Sequence, residues 1–512
     1  VPPTLRTDRI RLSASAKRRK MNPTTLFFFI TCYFALLFFV ARRVSGNATN
    51  ESFFSGNKNS NWMIVTFGMI GTSLSGVTFI SVPGLVGESA FSYFQIMLGQ
   101  LLGYFVIAFI LLPIFYKLNL TSIYDYLGIR LGPKSRKAGA WFFILSRCIG
   151  ASARLYLVII VLQETILDGL HVSYWISAAV TIAMVLLYTY QGGVKTIVWT
   201  DMLQTALMLT GLVISAKYLL GALDMSLLES LQKMDENGFT RIFSFDGDSR
   251  NFWLKQVVAG ILITVAMTGM DQEMMQKNIS VRTLTGSQKN VLTLAFSMMA
   301  VVLLFLVLGG LLYLYAPLAG ITATGDRIFP AVVFSHMPQA LQIVFVIALI
   351  SALFPSADGA LTALTSSFCI DIVELHRKAT WSTEKRTRFR RKVHLGFALI
   401  VFVLLALLKW LDSRSIVVLI LELAAITYGP LLGLFSFGIF TSRQVRDELV
   451  PYVLLAAPVL CFLLQRYQGS LFGDYQMGLE ILALNGALSF LVLWSISSPQ
   501  HTANQSLSSS QP

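Results

Sequence analysis

Seven ionisable side chains interrupt stretches that are otherwise apolar: Arg147, Arg154, Asp201, Asp271, Glu273, Asp358 and Glu422. A charge in a hydrocarbon layer is costly and needs a partner or a water-filled cavity. Any one of them reads equally well as a structural ion pair or a snorkelling chain. Seven, spread over five apolar runs, mark a polar path through the protein. Arg147 and Arg154 lie two helical turns apart, on one face. A guanidinium grips a carboxylate with two parallel hydrogen bonds. Two readings stay open for this pair: a site for an anionic solute, or ion pairs with Glu422 or Asp271.

Two backbone anomalies accompany these charges. The run Gly68-Met69-Ile70-Gly71-Thr72-Ser73-Leu74-Ser75-Gly76-Val77-Thr78 is dense in glycine and small hydroxyl residues, which weaken a helix. Near mid-membrane it reads as an unwound segment whose carbonyls face an ion or solute, or as a close packing face. The run Ala352-Leu353-Phe354-Pro355-Ser356-Ala357-Asp358-Gly359 contains a proline that frees the carbonyl of residue 351. Ser356 and Asp358 add oxygen ligands, and Thr362, Thr365, Ser366 and Ser367 extend the polar face. Such oxygens suit a hard cation without redox chemistry, and sodium fits better than a transition metal. The five histidines are scattered, and the four cysteines (Cys32, Cys148, Cys369, Cys461) sit in apolar runs without metal-ligand spacing.

The elements that carry these residues are transmembrane helices. Of 512 residues, 55% are hydrophobic and 13% charged, against about 25% charge in soluble domains. Apolar runs recur at 24–41, 61–86, 91–116, 138–164, 172–190, 197–221, 252–276, 289–316, 339–370, 393–411, 415–441, 450–466 and 476–496. The expectation is an all-α polytopic protein of about 13 transmembrane helices. The net charge of +14 does not signal nucleic acid. Seven Lys/Arg crowd residues 1–20, and most others occupy one set of alternate loops, including the cluster from Arg377 to Lys392. By the positive-inside rule that set is cytoplasmic, with the N-terminus outside and the C-terminus inside a plasma membrane. Residues 1–20 break the rule and are expected to be a non-native or disordered basic extension, while 498–512 form a disordered polar tail. Between them, 21–497 make one transmembrane domain, with a loop at about 222–251 long enough for a short helix.

Four segments resemble the sodium:solute symporter family, which includes sodium/proline, sodium/glucose and sodium/iodide transporters. They are Phe53-Phe54-Ser55-Gly56-Asn57-Lys58 with Gly71 to Ile80; Gly192-Gly193-Val194-Lys195-Thr196-Ile197-Val198-Trp199-Thr200-Asp201-Met202-Leu203-Gln204; Asp271-Gln272 with Gln276-Lys277, where the family usually has Gln-Arg; and the ninth run as far as Asp371-Ile372-Val373. The resemblance spans about 22–445 and implies a five-plus-five inverted repeat of the leucine-transporter type. Repeat one would be about 61–221 and repeat two about 252–441, with broken helices in the second and seventh runs.

The resemblance also implies site residues. A main sodium site would use the carbonyls of Gly71, Leu74 and Ala352 and the hydroxyl of Ser356, with Pro355 where many relatives carry a second hydroxyl. A second sodium, or a proton, would sit between Asp201 and Asp358. The solute would lie beside the broken helices, lined by Ser73, Thr78, Gln95, Asp271, Gln272 and Tyr428 together with Arg147 and Arg154. The implied activity is sodium-coupled symport of a small organic solute, slightly favouring an anionic or zwitterionic one, with sodium as coupling ion and no organic cofactor. Proton-coupled or passive transport and a membrane solute sensor are the alternatives. No nucleophile–base pair or metal cluster points to an enzyme, and the sequence leaves the oligomeric state unknown.

Overall fold

The computed structural model describes residues 23–45, 49–249, 251–378, 380–411, 416–473, 475 and 477–499. The expected basic extension 1–20, all of the polar tail beyond Pro499, and the side chain of Glu422 lie outside them.

The described chain is helical apart from two-residue strands. Its principal helices are α1 (Pro23–Ser45), α2 (Trp62–Ser73), α3 (Gly76–Ser89), α4 (Tyr93–Lys117) and α5 (Pro133–Leu162). Next come α6 (Tyr174–Leu223), α7 (Trp253–Gly269), α8 (Gln272–Ile279), α9 (Leu284–Leu318) and α10 (Gln339–Ile372). Last are α11 (Thr383–Leu411), α12 (Ile416–Phe440), α13 (Val450–Arg466) and α14 (Ile481–Ser495). Strand β1 (Gln444–Val445) pairs antiparallel with β2 (Ser497–Ser498), tying the segment after α14 to the turn after α12. The long loop after α6 does hold a helix, Leu227–Glu236, started by a Ser226/Glu229 capping box.

The expectation of about 13 transmembrane helices in a five-plus-five repeat is corrected here. Among the described residues, six helices are long and apolar enough to cross a membrane, and up to eight do so if each bent pair counts as one span. The physical reason is length. A bilayer core needs about 20 residues of helix, whereas Val450–Arg466 and Ile481–Ser495 are apolar helices of 17 and 15 residues. Among the described residues at most eight such spans are present, fewer than the thirteen expected.

α10 is the hub. It packs along α6 and also meets α2, α3, α5, α8 and α11, and 78% of its most apolar window is buried inside the protein. α11 is the opposite case. Its Leu395, Leu399, Val403, Leu407 and Trp410 stay exposed, the lipid-facing stripe expected of a peripheral span. α6 bends at Gly193, whose φ of 54° suits glycine alone. A side chain there would also strike Phe53.

Candidate functional site

Two helix breaks create the site. α2 and α3 meet at 59° and α7 and α8 at 66°. At the first break Leu74 leaves the helical region (φ −91°, ψ 84°) and Ser75 is extended. The run of glycine and hydroxyl residues explains why the helix yields there. Across the gap the chain bonds Leu74 N–H to Ile70 O at 2.8 Å and Phe79 N–H to Ser75 O at 3.2 Å. The carbonyls of Gly71 and Leu74 receive no backbone donor among the described residues. At the second break Asp271 caps α8, accepting from Glu273 N–H (2.9 Å) and Met274 N–H (3.2 Å).

Gly71 places the first break against α6 and α10. A Cβ on it would lie 2.2 Å from Thr205 Oγ1 and 3.6 Å from Pro355 Cγ. The Ser356 hydroxyl is buried and has no hydrogen-bond partner. Ala352 lies inside the unbroken α10, where the donor missing at Pro355 frees the carbonyl of Ser351. At the break the carbonyls of Gly71 and Leu74 lack a backbone donor among the described residues, and on the neighbouring α10 the Ser356 hydroxyl lacks a partner. An oxygen-only donor set of this kind fits a small hard cation.

The carboxylate of Asp201 on α6 lies one helix away. Its Oδ2 accepts from Lys277 Nζ at 2.6 Å and from Thr72 Oγ1 at 3.1 Å. Lys277 also donates to Thr72 Oγ1 at 2.6 Å and stands 3.9 Å from Glu273 Oε1. Asp358 on α10 accepts from Tyr188 OH at 2.9 Å and acts electrostatically on Asp201. Next to it Gly359 leaves room for Glu273, whose Oε1 would be 2.1 Å from a Cβ there.

Arg147 on α5 is committed to the second break. It pairs with Glu273 and, at 3.6 Å, with Asp271 Oδ2, which also accepts from Tyr428 OH at 2.7 Å. Of the two readings left open for Arg147, the ion pair is realised, with Asp271 and with Glu273. Arg154 is different: it makes no hydrogen bond or ion pair among the described residues. Both arginines line a cavity of about 170 Å³ bounded by the α2–α3 break, α3, α4, α7 and α9.

Four of the expected solute-lining residues therefore share one cavity: Ser73, Thr78, Arg147 and Arg154. Asp271 stands behind it, holding Arg147, and Tyr428 in turn donates to Asp271. Gln95 and Gln272 do not line it. Gln95 donates to Asn251 O at 3.3 Å and accepts from Ser244 N–H at 3.4 Å, fastening the loop after α6. Gln272 accepts from Ile123 N–H at 3.0 Å and lies against Ser122. The cavity adds Gln100, one turn and a half beyond Gln95, and Thr268. Sequence reasoning passed over both, because a single polar residue in an apolar run carries no signal. Lys277 is a larger surprise. It falls just past the apolar run 252–276, where the sequence suggests a loop charge, yet its side chain is 3% exposed. Its four-residue spacing from Glu273 on one helix was the available clue.

Comparison with known proteins places this geometry in a family. The sodium:solute symporter family matches residues 53–447. The sodium/sialic acid symporter NanT of Aliivibrio fischeri is 24% identical over 454 residues, covering 86% of this chain and 87% of that protein. The human sodium/iodide cotransporter is 28% identical over 243 residues, 46% of this chain and 36% of that one. A sodium-coupled sialic acid symporter, solved substrate-bound and outward-open, superimposes with a TM-score of 0.80 over 93% of this chain and 99% of its own. At 18% identity this likeness shows the fold alone. It is the sialic-acid-symporter fold that the chain shares, in place of the expected leucine-transporter repeat. Since the family match runs through well over half of the sequence, the chain belongs to the sodium:solute symporter family: it is a multi-pass plasma-membrane protein that couples sodium to the secondary active transport of a small organic solute, and not an enzyme.

Proposed function

We propose that the solute is an anionic or zwitterionic organic molecule, held in the cavity beside the first break with its negative group on Arg154. The observation that carries this reading is the difference between the two arginines. Arg147 is neutralised by Glu273 and Asp271, whereas Arg154 brings an unpaired guanidinium to the cavity. Arg154 is half-buried, and a cation drawn away from water without an ion-pair partner is costly unless a ligand completes it. Ser73 and Thr78 supply hydroxyls, and Val77, Met97 and Met267 supply an apolar wall. Relatives named for sialic acid and iodide carry anions, which agrees with this assignment.

The main sodium ion takes the carbonyls of Gly71 and Leu74 and the hydroxyl of Ser356, with Ala352 beside them. Bound there, it fastens the broken α2–α3 to α10 and orders the adjoining cavity wall formed by Ser73 and Ser75. Sodium and solute then tighten one another by the same coupling free energy, roughly 1–3 kcal/mol. Inward movement of the ion adds about 2.3 kcal/mol per charge per 100 mV. The N-terminus is outside and the C-terminus cytoplasmic, which puts Arg136, Arg377 and Arg386 on the inner face.

The test is thermal stabilisation of the purified protein in sodium against potassium, across organic anions, amino acids, sugars and vitamins. The expected hit is a carboxylate or zwitterion, seen in sodium and lost in Arg154→Met. A hit confined to neutral sugars would overturn the assignment. Labelling of single introduced cysteines from either side of the membrane checks the orientation.

A further inference from the structure

We propose that the Lys277 ammonium is the resident cation of the Asp201–Asp358 cluster, standing where a second sodium would bind, so that one chain takes up one sodium ion. Asp201 and Asp358 are both fully buried, and each carboxyl acts on the other. Two neighbouring buried carboxylates require a compensating charge. A mobile ion could supply it, but Lys277 already supplies it to Asp201, while Asp358 accepts from Tyr188 OH at 2.9 Å and Gly359 N–H at 2.6 Å.

Its ammonium has three protons to donate. It stands 2.6 Å from Asp201 Oδ2, 2.6 Å from Thr72 Oγ1 and 3.9 Å from Glu273 Oε1. These are the hard oxygens that a bound sodium would use. The lysine is also held in place. On one side of it Gln276 Nε2 donates to Ser366 Oγ at 3.0 Å, and on the other Asn278 Oδ1 accepts from Asn290 Nδ2 at 2.6 Å. Withdrawal of the ammonium would leave Asp201 uncompensated inside the protein, which opposes its exchange for an ion. A tethered charge moves with α8 and never crosses the membrane, so it contributes nothing to the ion gradient spent per cycle.

This inference rests on the main sodium site proposed above, and sodium alone separates the two. Equilibrium binding of radioactive sodium to the purified full chain should give one ion per wild-type chain, lost in Ser356→Ala and kept in Lys277→Arg. Lys277→Met should bind two ions, falling back to one when Asp201→Asn is added. Two ions on the wild type would overturn the proposal, whether or not any variant folds. So would one ion that survives Ser356→Ala but disappears in Asp201→Asn, or a folded Lys277→Met that still binds one. A wild type that binds none would remove the main-site assignment, and an ion gained by Lys277→Met would then still uphold this one.

Discussion

Arg147 and Glu273 form a buried ion pair that joins α5 to the first turn of α8, immediately after the second helix break. The same guanidinium lies 3.6 Å from Asp271, the residue that caps α8. One cation therefore holds both the cap and the first turn of the broken helix, and its removal would leave Asp271 without an ion pair and Glu273 with only Lys277, 3.9 Å away.

Arg147→Met should accordingly destabilise the protein by about 3–5 kcal/mol, the usual cost of breaking a buried pair from one side. Arg154→Met removes no ion pair and should leave the melting temperature close to wild type while weakening solute binding. Thermal unfolding with and without solute separates the two. Equal destabilisation by both variants would mean that Arg154 is also structural.

Ser356→Ala deletes a buried hydroxyl that has no protein partner. Without sodium the fold should hardly notice. The sodium concentration that gives half-maximal stabilisation should rise about tenfold, corresponding to about 1.4 kcal/mol. An unchanged sodium titration would take Ser356 out of the ion site.

Gly71→Ala would set a methyl group 2.2 Å from Thr205 Oγ1. Overpacking of this kind costs about 1–3 kcal/mol and should push α2 away from α6 and α10, weakening sodium binding. Adding Thr205→Ala removes the clashing oxygen and should restore most of the loss. Lack of rescue in a sodium-dependent melting experiment would argue that Gly71 acts through its backbone conformation instead.

Asp326 lies in the loop after α9, close to Ser81 and Glu88, and burial raises its carboxyl above the usual carboxylate range. A raised pKa in the folded state means that stability is complete below the unfolded pKa and is lost as pH rises through the folded one. Asp326→Asn should therefore melt higher than wild type at pH 7, and the gap should close as the pH is lowered toward the ordinary aspartate range. A gap independent of pH would place the effect in packing.

Composition, run length and the ionisable residues inside apolar runs were enough to class the chain as a helical membrane protein with an internal polar path. The glycine and hydroxyl run 68–78 also pointed to the first break, a local signal because a helix fails where its own residues favour other backbone states. The second break, in the seventh run, was implied only by the family resemblance. Which charges meet could not be read that way. Arg147 chooses Glu273 and Asp271, Arg154 is left alone, and Lys277 leaves an apparent loop for the protein interior. Gln95 and Gln272, polar residues in suggestive places, turn out to fasten loops. Span count was also beyond the sequence, since an apolar run does not reveal whether its helix is long enough to cross or bends inside its neighbours. Periodicity and helix breaking depend on residues a few positions apart. Pairing across α2, α5, α6, α8 and α10 depends on side chains brought together from distant parts of the chain, and only the packed structure decides it.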